Sequence, residues 1–379
     1  MKKVLIINQS SELYGSDQTL LLLLKNLDKS QFFPIVVLPN EGPLKTALEK
    51  LEVQVIIAPV LKLYRDMFSL RNLVKFTQDF FSGLATLKKL HKLYNFDIIY
   101  SNTFAVLIGA FFSKPRKIKH LWHVHEIIEH PKLIAWFFPK MAYFFSDLIV
   151  CNSEATRLNI ISREKRNKNK CHVIYNGVNH INTTINYKKS DFGFNENDII
   201  ITLVGRISRL KGHYLLLKTF KGTLSANENI KLLFVGSPVP GQEFYLESIL
   251  NFIKENEIEE KVKIVPFTQS LEEIWNITDI AVMPSTEKES FGLVAAEAML
   301  AKKPVVGANH GGLKEIIINN KTGFLVEPNN EMELSKAIFT LVNNPELRKQ
   351  MGENGNKRIL DHFSVASYIK SFELVMKGL

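Results

Sequence analysis

Thirteen short apolar runs rich in Val and Ile punctuate the chain, and stretches of helical period separate them. The first seven are KKVLIIN, FPIVVLP, VQVIIAP, FDIIYS, KHLWHVHE, DLIVCN and CHVIYNGV. After residue 190 follow IIITLVG, KLLFVG, VKIVPF, DIAVMPS, KPVVGAN and FLVEP. Such alternation predicts the α/β class, with parallel sheets covered by helices. Between the two series lies HINTTINYKKSDFGFNEN, polar and aperiodic, which reads as an interdomain linker. Two doubly wound domains joined in this way create a cleft, and open parallel sheets bind ligands beyond the carboxyl ends of their strands. Loops that follow strands therefore carry the candidate chemistry.

Composition agrees with this plan. A length of 379 residues exceeds one ordinary domain, so two domains of about 180 residues each are expected. Lys2 and Lys3 precede only the run VLII, and no apolar stretch reaches the roughly 18 residues that cross a bilayer. The expected location is cytoplasmic. Cys151 and Cys171 have no CxxC spacing and read as packing residues. The net charge of +10 is uneven: residues 1 to 180 hold 25 Lys and Arg against 14 Asp and Glu, whereas the remainder holds 23 against 24. A basic first half suits an anionic membrane leaflet or a phosphate-bearing acceptor. Nucleic acid is the least favoured partner, because no docking motif accompanies the charge.

In the second half, IIITLVGRISRLKGHYLLLKTF runs strand, turn, basic loop and helix. Arg206 follows Gly205 at the strand end, and Lys211 precedes Gly212. A guanidinium grips phosphate oxygens in pairs and an ammonium adds a compact charge, so the two suit a diphosphate, although lone loop cations are usually just solvated. After the strand DIAVMPS comes STEKESFGLVAAEAM, with Ser290-Phe291-Gly292 forming a turn and a helix departing near Leu293. Free amides at a helix start favour anionic phosphate. Glu297 lies roughly 7 Å along that helix at 1.5 Å per residue. Glutamate is a good helix former and often only surface, but this spacing also lets Glu289 hold sugar hydroxyls while Glu297 holds ribose hydroxyls of a nucleotide diphosphate sugar.

The ordered set GRISRLKG, ESFGLVAAEAM with its Glu-x7-Glu spacing, GGLKEII and TGFLVEP resembles the large retaining glycosyltransferase family 4 of the GT-B fold, over nearly the whole chain. The resemblance implies two Rossmann-like doubly wound domains facing across a cleft: an acceptor domain over 1–180 and a nucleotide-sugar domain over 190–363. The C-terminal helix 364–379 is expected to pack back on the first. It implies Arg206 and Lys211 as diphosphate ligands, Glu289 as donor-sugar ligand and Glu297 as ribose ligand, with Ser290, Phe291, Gly292 and Leu293 at the phosphates. Gly311 and Gly312 match the family's Gly-Gly turn, and Glu315 its following glutamate, read as structural support. Phe267 sits where the family lines the base pocket, with Pro266 in place of the usual glycine.

In the first half, NQSSELYGSDQTLLLLLKNL is a polar loop entering an apolar helix. Related transferases carry Gly-Gly here, close to the donor phosphates, and this chain has Gly15-Ser16. Gly15 is expected to supply a tight turn and Asp17 to cap the helix. No complete GxGxxG follows the first strand, against a nicotinamide dinucleotide site. KHLWHVHE places His123 and His125 on one strand face with Glu126 at its end. These three can be imagined as zinc ligands, yet partly buried, hydrogen-bonded histidines fit better, and the resemblance assigns His125 to the donor sugar. The segment Leu61 to Leu93 and the aromatic stretch LIAWFFPKMAYFF mix basic and aromatic residues, mostly core but suited to peripheral membrane docking.

These readings converge on transfer of a sugar from a UDP- or GDP-sugar to a glycan or lipid-linked acceptor, in bacterial surface polysaccharide synthesis. The family implies retention at the anomeric carbon. Arg206, Lys211, Glu289 and His125 form the catalytic set. No Asp-x-Asp occurs, so fixed cations are expected to replace a metal, and no cofactor is expected. The alternatives are a nucleotide-sugar epimerase and a non-catalytic sugar-nucleotide-binding subunit.

Overall fold

The computed structural model describes residues 1–61, 70–179, 187–268 and 271–379, except the side chains of 70–73 and 75. Residues 180–186, the first part of the linker read from the sequence, and residues 62–69 of the basic-aromatic segment lie outside them. Each of the thirteen apolar runs contains a strand. They are β1 (Lys2–Asn8), β2 (Phe32–Leu38), β3 (Gln54–Ile57), β4 (Ile98–Asn102), β5 (Lys119–Val124), β6 (Leu148–Cys151) and β7 (Cys171–Val173). The second series is β8 (Ile199–Val204), β9 (Ile230–Val235), β10 (Val262–Val265), β11 (Ile280–Met283), β12 (Val305–Ala308) and β13 (Gly323–Val326).

The chain divides into two compact units, residues Met1–Gly177 with Val365–Leu379, and Val178–Ser364. The first holds a sheet in the order β3-β2-β1-β4-β5-β6-β7, the second a sheet in the order β10-β9-β8-β11-β12-β13. All pairings are parallel. Both are doubly wound. Strand order reverses between β1 and β4 in one unit and between β8 and β11 in the other, and at such a reversal the flanking loops part and leave a crevice at the strands' carboxyl ends.

Alternation along buried strands feeds two cores in the first unit. Leu5 and Ile7 of β1 join Ile35, Ile99, Trp122 and Phe138 on one face. Val4 and Ile6 join Leu20, Val36, Tyr100 and Leu121 on the other. The helix Val365–Gly378 belongs to this second layer. Its Tyr368, Phe372 and Met376 recur every four residues and are buried there, with the Phe372 ring 6.1 Å from that of Tyr100. Lys2 Nζ donates to the carbonyls of Met376 and Lys377 at 3.1 and 2.8 Å, satisfying orphan acceptors at the helix end. No described helix is long and apolar enough to cross a membrane.

Phe372 is wholly enclosed, so truncation leaves a cavity under the sheet. Phe372→Ala is expected to cost about 3–5 kcal/mol of the first unit's stability, read from the midpoint of denaturant unfolding. A change within about 0.5 kcal/mol, the range of ordinary surface substitutions, would show the helix to be detachable.

Candidate functional site

The crevice of the second unit is built from the loops that follow β8 and β11. Gly205 ends β8 at φ +153, and a Cβ on Gly236 would stand 2.0 Å from its carbonyl oxygen, so only glycine lets these strand ends lie so close. Gly212 has φ +77, and a Cβ there would meet the Pro284 carbonyl at 2.1 Å. The loop after β8 therefore lies flush on the end of β11. Thr286 N donates to the Leu210 carbonyl at 2.9 Å, Thr286 Oγ1 to that of Arg209 at 2.9 Å, and Arg209 pairs with Glu287.

Within this frame Lys211 Nζ reaches Glu289 Oε1 at 2.9 Å, both side chains being largely shielded. Ser285 Oγ donates to the same oxygen. Burial pushes the Glu289 carboxyl up, but the Lys211 charge, the hydrogen bonds from Ser285 and Lys211 and the nearby His310 together hold it below the usual carboxylate range. Glu289 is thus an anion already fixed in place. Arg206 stands exposed at the end of β8, on the same crevice.

Gly292 adopts φ +102 and starts the helix Leu293–Leu300. The first bond of that helix runs from Ala296 N to Gly292 O at 3.1 Å, so the amides before it lie outside its ladder. Phe291 is turned inward against Phe363, with ring centroids 5.8 Å apart, which leaves only its backbone for a ligand. Gly311 and Gly312 press on this turn. Added Cβ atoms would lie 2.3 Å from the Glu289 carbonyl and 2.5 Å from the Phe291 backbone, and Gly312 N donates to Glu289 O at 2.7 Å. The Gly-Gly pair thus sets the backbone that carries Glu289. Glu315 lies in the short helix that follows, Leu313–Ile316.

Glu297 is the fifth residue of its helix and is not joined to the Lys211–Glu289 pair. With Asn179, Leu271, Trp275 and Leu300 it lines a small half-open pocket of about 30 Å³, enough for one water. Its Oε2 is buried without a partner among the described residues, and burial raises the carboxyl to about 7. Phe267, after β10, keeps an exposed ring while its amide donates to Ser237 Oγ at 3.2 Å.

In the first unit the corresponding reversal gathers Gly15, Ser16 and His125. Gly15 opens the helix Gly15–Asn26 in right-handed backbone, not the tight turn expected of it. Asp17 sits one turn into the helix, buried, and accepts from the Tyr14 amide at 3.3 Å. His125 Nε2 lies 2.8 Å from Asn102 Oδ1 and 3.1 Å from His123 Nδ1. Glu126 accepts from the amides of Phe104 and His125 at 3.2 and 3.0 Å. Burial raises its carboxyl to about 7 against the pull of those bonds. Among the described residues no cluster of three or more His, Cys, Asp or Glu side chains is disposed to hold a metal ion. Sequence reasoning missed Ser285, His310, Asn8 and Asn102, polar residues of common type whose sequence spacing carries no signature.

Two family models match the chain: Glycosyltransferase Family 4 over residues 15–181 and Glycosyl transferases group 1 over residues 185–358. An uncharacterized glycosyltransferase of Methanocaldococcus jannaschii, MJ1178, is 31% identical over 256 residues, 66% of each chain. The capsular polysaccharide biosynthesis glycosyltransferase CapM of Staphylococcus aureus is 29% identical over 238 residues, 61% of each. The match thus spans about two thirds or less of either relative's own length. The crystal structure of Anabaena Alr3699/HepE in complex with UDP and glucose superposes with a TM-score of 0.84 over 100% of both chains at 23% identity, a likeness of fold.

Glu297 generates a pH prediction. Its folded-state value, about 7, stands above the 4.5 of an unperturbed carboxyl, so the native state holds a proton that the unfolded chain has released. Stability from this group is full below about pH 4.5 and lost as pH rises through about 7. Glu297→Gln removes the penalty, so the variant is expected to be more stable than the parent by roughly 1–3 kcal/mol above about pH 7 and equal to it in acid. Denaturation across pH measures the difference. A constant difference would place the titration elsewhere.

Proposed function

Because the chain belongs to glycosyltransferase family 4, through the two models that together run along most of its length, we propose that it transfers a sugar from a nucleotide diphosphate sugar to a hydroxyl acceptor with retention at the anomeric carbon. The observation that carries this reading is the crevice of the second unit, where Lys211 from the loop after β8 holds an ionised Glu289 just ahead of the helix Leu293–Leu300, with Arg206 exposed at the end of β8.

Each part has a chemical task. Breaking the bond between the anomeric carbon and the diphosphate oxygen puts negative charge on the diphosphate. Lys211, Arg206 and the amides near Gly292 are fixed donors for that charge and need no reorganisation when it appears. The acceptor oxygen bonds to the anomeric carbon on the face the diphosphate leaves, and its proton passes to a diphosphate oxygen. Glu289, held by Lys211 and Ser285, accepts from donor-sugar hydroxyls. Glu297 accepts from the ribose diol, whose hydroxyls supply the partners that its Oε2 lacks. Phe267 offers an exposed ring to the base. Ser290, Phe291, Gly292 and Leu293 act through their backbone. In the first unit His125 serves the donor sugar, and Gly15 and Ser16 the donor phosphates. The cations fill the place of a divalent metal, so turnover in chelator is part of the proposal.

UDP is the favoured nucleotide, since HepE is described in complex with UDP and with UDP-glucose. The names of CapM and of the Salmonella lipopolysaccharide 1,2-N-acetylglucosaminetransferase favour a glycan or lipid-linked acceptor in surface polysaccharide synthesis. Leu133, Trp136, Phe137 and Phe144 are exposed, and Lys140 Nζ lies 4.6 Å from the Trp136 ring. With the basic first half, this supports peripheral contact with an anionic cytoplasmic leaflet.

A panel of labelled UDP- and GDP-sugars with candidate acceptors, assayed in chelator, separates transfer from an epimerised donor and from binding without turnover. Lys211→Ala and Glu289→Ala are each expected to lower turnover at least about a hundredfold, and near-normal rates in both would refute the site. For the membrane, Trp136→Ala with Lys140→Glu is expected to reduce cosedimentation with phosphatidylglycerol vesicles. Equal recovery with the parent would remove this face from consideration.

A further inference from the structure

At the carboxyl ends of β1, β4 and β5, three adjacent strands flanking the order reversal, a file of polar side chains runs from Asp17 through Asn8 and Asn102 to His125. All of its members lie within the first unit. Its direction is fixed by groups that can only accept. Asn8 Nδ2 stands 2.8 Å from the Ser10 carbonyl and 2.8 Å from Asp17 Oδ1. A carbonyl oxygen has no proton to give, so the amide nitrogen of Asn8 occupies that side and its Oδ1 faces Asn102. Asn102 Nδ2 stands 2.7 Å from Asn8 Oδ1 and 3.3 Å from the Ser16 carbonyl. The same logic turns Asn102 Oδ1 toward His125, whose Nε2 lies 2.8 Å away.

An acceptor at that distance requires a proton on Nε2. The second contact of Nε2, His123 Nδ1 at 3.1 Å, is itself 2.7 Å from the Tyr100 hydroxyl, which can donate to it. Burial pulls His125 down to about 3, so the ring is neutral and carries a single proton. Its Nδ1 is then bare, and no described residue bonds to it.

The backbone is held in support. Thr103, directly after Asn102, adopts φ +80, a left-handed conformation that a β-branched residue rarely takes. Trp122 Nε1 donates to its carbonyl at 2.7 Å, and its amide donates to the His123 carbonyl at 2.8 Å.

We propose that Asn102, oriented by Asn8 and the Ser16 carbonyl, is a positioning residue that locks His125 as the Nε2–H tautomer and presents Nδ1 as a hydrogen-bond acceptor for a hydroxyl of the sugar substrate. This rests on the reading of His125 as a sugar-contacting group. A substrate lacking that hydroxyl leaves a polar nitrogen unpaired and is disfavoured.

The test is long-range proton–nitrogen NMR of the full chain labelled with 15N-histidine, the His125 signals being those lost in His125→Gln. The parent is expected to show a protonated Nε2 and a bare Nδ1. Asn102→Leu is expected to populate the other tautomer and to lower turnover roughly ten- to a hundredfold, whereas Asn102→Asp, which keeps an acceptor in place, retains Nε2–H. A proton on Nδ1 in the parent overturns the inference and needs no variant beyond the His125→Gln used for assignment. It would leave the proposed transfer reaction standing. Full turnover in His125→Ala overturns the role given to Nδ1 while the tautomer stands.

Discussion

The ion pair between Lys211 and Glu289 is the interaction on which the second unit's crevice depends. It joins the loop after β8 to the loop after β11 across the reversal of strand order, at 2.9 Å and largely shielded from water. Shielded charges of this kind are costly to separate, because removal of one partner leaves the other desolvated and unpaired. The glycines on either side follow from it. Gly212 lets the first loop lie on Pro284, and Gly311 and Gly312 let a third loop press on Glu289. Lys211, poised by Glu289, is then ready for a second anion without a search through rotamers, and the helix that begins after Gly292 supplies backbone donors beside it.

The first unit solves a related problem with neutral groups. Its reversal is held by a file of amides anchored on Asp17 and on two backbone carbonyls. The two sites differ in what they fix. In one a charge is held in position; in the other a proton is held on one nitrogen. Both arise because parallel strands end together, so side chains from sequence-distant loops meet at one edge.

That edge also explains how far the sequence could be read. Every strand was visible, because buried parallel strands are short apolar runs and their spacing leaves little room for another assignment. Arg206, Lys211 and Glu289 were legible as a spaced set in the loops after strands, with Glu297 inside the helix that follows. Their pairing was not. Nothing local in the sequence says that Lys211 meets Glu289 rather than water, since the contact is made between loops separated by three strands and their helices. Asn8 and Asn102 were invisible for the same reason, being unremarkable polar residues until β1 and β4 are laid side by side. Gly15 was misjudged in detail. A glycine before an apolar helix signals a special turn only when its backbone needs one, and here the helix simply begins.

In the proposed reaction the second unit grips a diphosphate with Lys211, Arg206 and the amides at the start of the helix Leu293–Leu300, with a carboxylate toward each sugar end. A crystal structure of the chain with a non-transferable UDP-sugar is the decisive experiment. Diphosphate oxygens are expected within hydrogen-bond distance of Lys211 Nζ and of the amides beside Gly292, with Glu289 on hexose hydroxyls and Glu297 on the ribose. A nucleotide seated elsewhere, with Lys211 still bound only to Glu289, would contradict this grip.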